Sequence, residues 1–318
     1  MSGISEACDW LSSMSVELRL ALRTHGAIFI RGLPVFDVDS FGRVRDVLVS
    51  QKTPYREKAT PRSDYGHAVY SSTDLPASQV IRMHNENSYT LTFPGTLLFG
   101  CLVAPSEGGA TPVADVREVL RAMPPQLVER MRKHGWLLTR NYSEYISLDW
   151  RTSFAAETAE AVEEYCAENL ISCEWQEGDG LLTRQLRPGI IEHPDTGEQV
   201  WFNHLAFWNA LSLDNDIREA LVEEFGWDGL PFNTAFGDGV QLTREELEAV
   251  NAAYEAATVR QAWQPGDVML VDNILAAHGR DPFRGDRKIV VAMGDPIALE
   301  DCKPSPTAAP APPLTQHV

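Results

Sequence analysis

Residues 267–293 read DVMLVDNILAAHGRDPFRGDRKIVVAM, and the fold is legible from the two ends of this stretch. DVMLV (Asp267–Val271) and KIVVAM (Lys288–Met293) are short runs rich in β-branched residues, the signature of buried strands. Between them lies a polar segment that carries His278 and, nine residues later, Arg287. Further short strand-like runs occur along the chain: AIFI (Ala27–Ile30), QVIRM (Gln79–Met83), TLLFGCLV (Thr96–Val103) and QVWFN (Gln199–Asn203). Helices are expected after Pro125, after Thr158 and after Thr243, where Thr243 and Glu246 make a capping box. Strands and helices do not alternate regularly, which argues against a doubly wound parallel sheet. The expectation is a mainly β fold with inserted helices, a sandwich or jelly roll.

Length and composition bound the rest. The chain has 318 residues, 44% of them apolar, with a net charge of −18. No stretch of low complexity divides it, so residues 1–300 are expected to form one domain. The Pro/Ala-rich tail, residues 303–318, is expected to be disordered. The acidic balance disfavours general nucleic-acid binding and polybasic membrane attachment. Five scattered Cys argue against a disulfide scaffold or a thiolate zinc site. No secretory signal and no 18-residue apolar run is visible, so a cytoplasmic location is expected. There is no P-loop, no G-x-G-x-x-G after a strand and no G-x-S-x-G, so nucleotide hydrolysis, dinucleotide redox chemistry and serine-hydrolase chemistry all lose their usual signals.

The chemistry concentrates in I-R-M-H-N-E-N-S-Y, Ile81 to Tyr89. His84 and Glu86 are two apart at a strand or strand end, where period 2 places both on one face. Alone, H-x-E is common as a surface pair. With a second His from another strand it becomes a two-His-one-carboxylate metal triad. His204 and His278 both follow apolar strands. An Arg at the head of a strand, such as Arg287, can hold a carboxylate through two hydrogen bonds. Arg82, two residues before His84, shares its face by parity or else faces solvent.

The order H-x-E, then E-G-G-A-T-P, then D-N-x-x-x-A-H-G-R-x-P-F-x-G-x-R, resembles the TauD/TfdA family of Fe(II)/2-oxoglutarate dioxygenases. The likeness is nearest to the natural-product branch that includes the SyrP-like hydroxylases. It extends over roughly His25–Pro296 and includes H-G-A-I-F-I-R-G-L-P, Y-S-S-T-D-L-P-A and E-Q-V-W-F-N.

This resemblance implies a double-stranded β-helix (jelly roll), with His84, Glu86 and His278 as iron ligands. It implies that Thr111 touches 2-oxoglutarate and that Arg287 clamps its distal carboxylate, with Arg280 and Lys288 as rivals because the spacing from His278 is short. The cofactors would be Fe(II), 2-oxoglutarate as cosubstrate, and O2. The reaction would be hydroxylation of an unactivated C–H bond in an amino acid or amino-acid-derived metabolite. Desaturation, epoxidation or ring formation at the same iron, and a non-catalytic metal-binding jelly roll, are the alternatives. Halogenation is disfavoured because Glu86 is retained. Substrate contacts are expected from Arg82, Arg184, Asn203 and His204, with Phe207 and Trp208 as walls. A carrier-protein partner is disfavoured against a free small molecule: Arg280, Arg284 and Lys288 make too small a basic patch to offset the acidic field.

Overall fold

The computed structural model describes residues 3–53, 57–58, 62–143 and 148–311. A five-stranded antiparallel sheet runs in the order Ala27–Ile30, Val268–Asp272, Thr92–Val103, Lys288–Ala298, Tyr70–Ser71. A four-stranded antiparallel sheet is ordered Thr258–Val259, Val113–Asp115, Ala276–Arg280, Ile81–His84. The alternation of side chains along each strand divides the core in two. Leu98, Leu102, Val268, Leu270, Val290 and Ala292 point to one face, against Ala7, Leu11, Phe41 and Val44 of the N-terminal helices. Leu97, Phe99, Cys101, Met269, Val271, Ile289 and Val291 point to the other, where Ala276 of the four-stranded sheet meets them.

Helix Val38–Leu48 can lie close to the large sheet because residue 100 is glycine. A Cβ there would sit 2.4 Å from the Phe41 ring. Phe41 is fully buried, so its truncation to Ala would cost about 3–5 kcal/mol. The expected helices form where their caps place them: Pro125–His134, Ala159–Glu168 behind Thr158, and Arg244–Ala256 behind the Thr243/Glu246 capping box. The strand expected at Gln79–Met83 is shifted to Ile81–His84.

A third sheet carries Phe232–Phe236, Trp136–Tyr142, Gly180–Arg187 and Ala309–Pro310, with Ile171–Gln176 also paired to Gly180–Arg187. Its last member corrects an expectation. The tail was to be disordered from Lys303, yet Ser305 donates its backbone N–H to Ile190 O and Ala309 stands in register with Leu186. An open strand edge offers unpaired backbone groups, and proline is tolerated on such an edge strand. Residues 312–318 of the tail, including His317, lie outside the described residues.

Candidate active site

His84 ends the Ile81–His84 strand, and His278 is its register partner on Ala276–Arg280. Their ring centroids are 4.5 Å apart. Glu86 lies just past the strand, in a turn, so period 2 alone does not aim it. Asn273 does. Its Oδ1 accepts from Glu86 N at 2.7 Å, and its Nδ2 donates to Glu86 O at 2.9 Å and to Pro94 O at 2.7 Å. The fully buried Asn273 side chain thus ties the Glu86 backbone to the segment that leads to His278. Donor atoms of His84, Glu86 and His278 all lie within 4.8 Å of one another, with His278 Nε2 3.7 Å from Glu86 Oε2.

The donor set suits a divalent metal. Burial pushes both imidazoles below the usual histidine range, His278 well below, so both are neutral at pH 7. His84 Nδ1 lies 2.9 Å from Arg82 O. A carbonyl only accepts, so Nδ1 carries the proton and Nε2 keeps its lone pair. His278 Nδ1 is buried with no hydrogen-bond partner. Two neutral imidazoles and one carboxylate are the donors an Fe(II) triad requires.

The same cavity is lined by His84, His278, Thr111, Arg287, Ser72, Phe99 and Phe207. Arg287 donates to Gly109 O at 3.0 Å, Ser72 Oγ at 3.1 Å and Thr111 Oγ1 at 3.2 Å. Gly109, at φ 67°, has no room for a side chain here: a Cβ would sit 2.7 Å from Pro105, 2.8 Å from Phe283 and 3.2 Å from the Arg287 stem. Burial lowers the Arg287 pKa to about 10, which leaves it cationic at neutral pH. Trp263 Nε1 also donates to Thr111 Oγ1, at 3.1 Å. With two donors on that oxygen, the Thr111 hydroxyl proton is left to point at a ligand. Of the two rivals, Arg280 donates to the carbonyls of Leu75, Pro76 and Gln79, and Lys288 lies exposed over the Tyr65 ring.

The expected substrate contacts fare differently. Arg82 is exposed and donates to Ser212 O. Parity fails there because His278–Arg280 spans two residues where the partner strand spans three, His84 to Ile81. This bulge puts Ile81 on the cavity wall and turns Arg82 outward. Arg184 is placed on the third sheet, in register with Thr139 and Ser172, and has Glu174 and Asp228 as its charged neighbours. Asn203 holds its own loop, donating to Gly189 O and accepting from Leu205 N. His204 stands behind His84 at 5.3 Å between centroids, with Nδ1 2.6 Å from Ser88 Oγ, and burial keeps it neutral. Phe207 alone of this run reaches the cavity, 4.5 Å from the His84 ring.

Arg62 escaped the sequence reading. It lines the cavity, and its Nη2 lies 3.0 and 2.9 Å from the two Glu86 oxygens. No periodicity or motif marks its surroundings. Asn273 was visible only as the second letter of D-N-x-x-x-A-H.

A buried His/Glu/His group that could hold a metal ion, with an Arg and a Thr on the wall of the same cavity, fits one class: a dioxygenase that uses Fe(II) and 2-oxoglutarate. The chain belongs to the TauD/TfdA family; the family model described as "Taurine catabolism dioxygenase TauD, TfdA family" matches residues 4–293. It is 35% identical over 276 residues to the dapdiamide synthesis protein DdaC of Enterobacter agglomerans, spanning 87% of this chain and 84% of that one. It is 28% identical to a clavaminate synthase-like protein of Arabidopsis thaliana, spanning 86% and 82%. Among solved structures, an asparagine oxygenase in complex with Fe(II), 3-hydroxyasparagine and succinate superposes with a TM-score of 0.53. It shares 17% identity and spans 90% of this chain and 79% of that one. The chain is therefore an enzyme of the Fe(II)/2-oxoglutarate-dependent dioxygenase class. Among the described residues, no helix is long and apolar enough to cross a membrane.

Proposed function

We propose that this enzyme hydroxylates an unactivated C–H bond of an amino acid or amino-acid-derived metabolite in natural-product biosynthesis. One observation carries the reading: a single cavity holds the imidazoles of His84 and His278, with Glu86 in ligand reach, and the Arg287–Thr111 pair across from them. In this reading His84, Glu86 and His278 hold Fe(II). When bound, iron and 2-oxoglutarate supply the O2-derived oxidant, with succinate and CO2 as by-products.

The protein's part is placement. Arg287 pairs with the distal carboxylate of 2-oxoglutarate, and the Thr111 hydroxyl donates to it. Phe99 and Phe207 keep water from the imidazoles, which strengthens every charge interaction inside. The family relation to a dapdiamide synthesis protein and the fold shared with an asparagine oxygenase support the amino-acid substrate class. The facing sheets support a double-stranded β-helix within one domain. A free small molecule remains favoured over a carrier-bound one. The nearby cations are further depleted, since Arg280 is engaged with carbonyls and Arg284 pairs with Glu107 at 3.3 Å.

A mass-spectrometric screen of amino acids and their derivatives with Fe(II), 2-oxoglutarate and ascorbate tests the proposal. A product heavier by about 16 mass units supports hydroxylation; a product lighter by about 2 replaces it with desaturation. Turnover only of carrier-bound thioesters would overturn the free-substrate reading.

A further inference from the structure

A glutamate ligand has a freedom that its chemistry must restrain. Its terminal torsion is broad, and a carboxylate can give a metal one oxygen or both. A two-His-one-carboxylate site works because three positions stay open. On the reading above, 2-oxoglutarate takes two of these, and a second bond from Glu86 would fill the last.

The geometry around Glu86 addresses this. Its backbone is fixed on both sides by Asn273. Its Oε2 is the oxygen near His278 Nε2, at 3.7 Å. The Arg62 guanidinium, with only 8% of its side chain exposed, spans the carboxylate through Nη2, 3.0 Å from Oε1 and 2.9 Å from Oε2, and of the two oxygens Oε2 is the one that also lies near His278. A charge-assisted donor draws negative charge from the oxygen it holds and makes that oxygen a poorer ligand. It also neutralises the buried carboxylate when no metal is bound, a state that would otherwise be costly.

We propose that Arg62 is a positioning residue for Glu86, holding one carboxylate oxygen so that only the other is available to a metal. The inference rests on the iron-site reading. A metal held beside the two imidazoles would draw Oε2, the oxygen near His278, out of this shared contact, and Arg62 would retain Oε1.

The test counts metal-bound waters by water-proton relaxation of the Mn(II)-loaded protein, without 2-oxoglutarate or substrate. Wild type should give about three waters. Arg62→Met, which keeps the stem and removes the donors, should still bind Mn(II) and give about two. Arg62→Lys, which restores a charged donor, should return the count to about three. Arg62→Ser, too short to reach Glu86, repeats the reading should the Met variant not fold. An unchanged count in the folded Met or Ser variant overturns the proposal. So does loss of Mn(II) binding from a folded variant, because Arg62 is said to limit the metal bonds and not to make them. Failure of the wild-type protein to bind Mn(II) would instead sink the iron-site reading, and this inference with it.

Discussion

Replacing Arg287 by Ala separates the two ends of the cavity. Arg287 is the cation that reaches Thr111, through Nη2 at 3.2 Å, and it is still charged at pH 7 with a pKa of about 10. A ligand carboxylate placed there would lose its charged partner, which costs about 2–5 kcal/mol. At about 1.4 kcal/mol per tenfold, the 2-oxoglutarate dissociation constant should rise roughly thirtyfold to a few thousandfold. The substitution also strips donors from Gly109 O, Ser72 Oγ and Thr111 Oγ1, so stability should fall by about 1–3 kcal/mol. Binding and folding are distinguished by calorimetric titration of 2-oxoglutarate into Mn(II)-loaded protein, beside urea unfolding of the same sample. Arg287→Lys keeps the charge without the planar fork and should fall between the two. A folded Ala variant that binds 2-oxoglutarate within about threefold of wild type would refute the reasoning and move the clamp to Arg280.

Three further outcomes follow from the same geometry. Asn273→Ala leaves Glu86 N, Glu86 O and Pro94 O without their side-chain partner; it should lose at least about 2 kcal/mol in urea unfolding and weaken Mn(II) binding, and a change under about 0.5 kcal/mol would contradict it. Gly279→Ala puts a Cβ 2.6 Å from Ile81 O, so the bulge beside His278 should open and the melting temperature fall, by more than about 1 kcal/mol in stability terms; a variant that melts with wild type would show that the bulge yields freely. The metal-free protein should lose stability as pH falls below about 6.5, because His204 and His278 have lowered pKa values from burial. There the unfolded chain binds protons that the folded chain refuses, up to about 1.4 kcal/mol per pH unit for each group. Glu57, raised by burial, acts in the opposite direction as pH rises above its ordinary value. Unfolding free energies that stay flat or increase from pH 7 to pH 5 in a Glu57→Gln variant, which lacks that opposing group, would rule the histidine effect out.

Much of the site was legible because its residues sit in strand-borne patterns. His84 and His278 end or occupy short apolar strands, and register brings them together. Glu86 was found by motif, yet the parity argument does not place it: the strand has ended, and Asn273 does the aiming. Parity also misdirected Arg82, since a single bulge reverses the faces of the residues beyond it. Asn203 carries the polar groups of a ligand contact, but a loop's own backbone took them first. Arg62 had no pattern to betray it, since a loop residue's position is fixed by tertiary contacts alone. The early part of the tail followed the same rule: its composition reads as disorder, and an open sheet edge overrides composition.

The most direct measurement is an anaerobic titration of the protein with Fe(II) and 2-oxoglutarate, followed by visible absorption. The account predicts a weak charge-transfer band that saturates at about one iron and one 2-oxoglutarate per chain, and its loss in His84→Ala, Glu86→Ala and His278→Ala. No band in the wild-type protein, or a band of full strength in the Glu86→Ala variant, would contradict it.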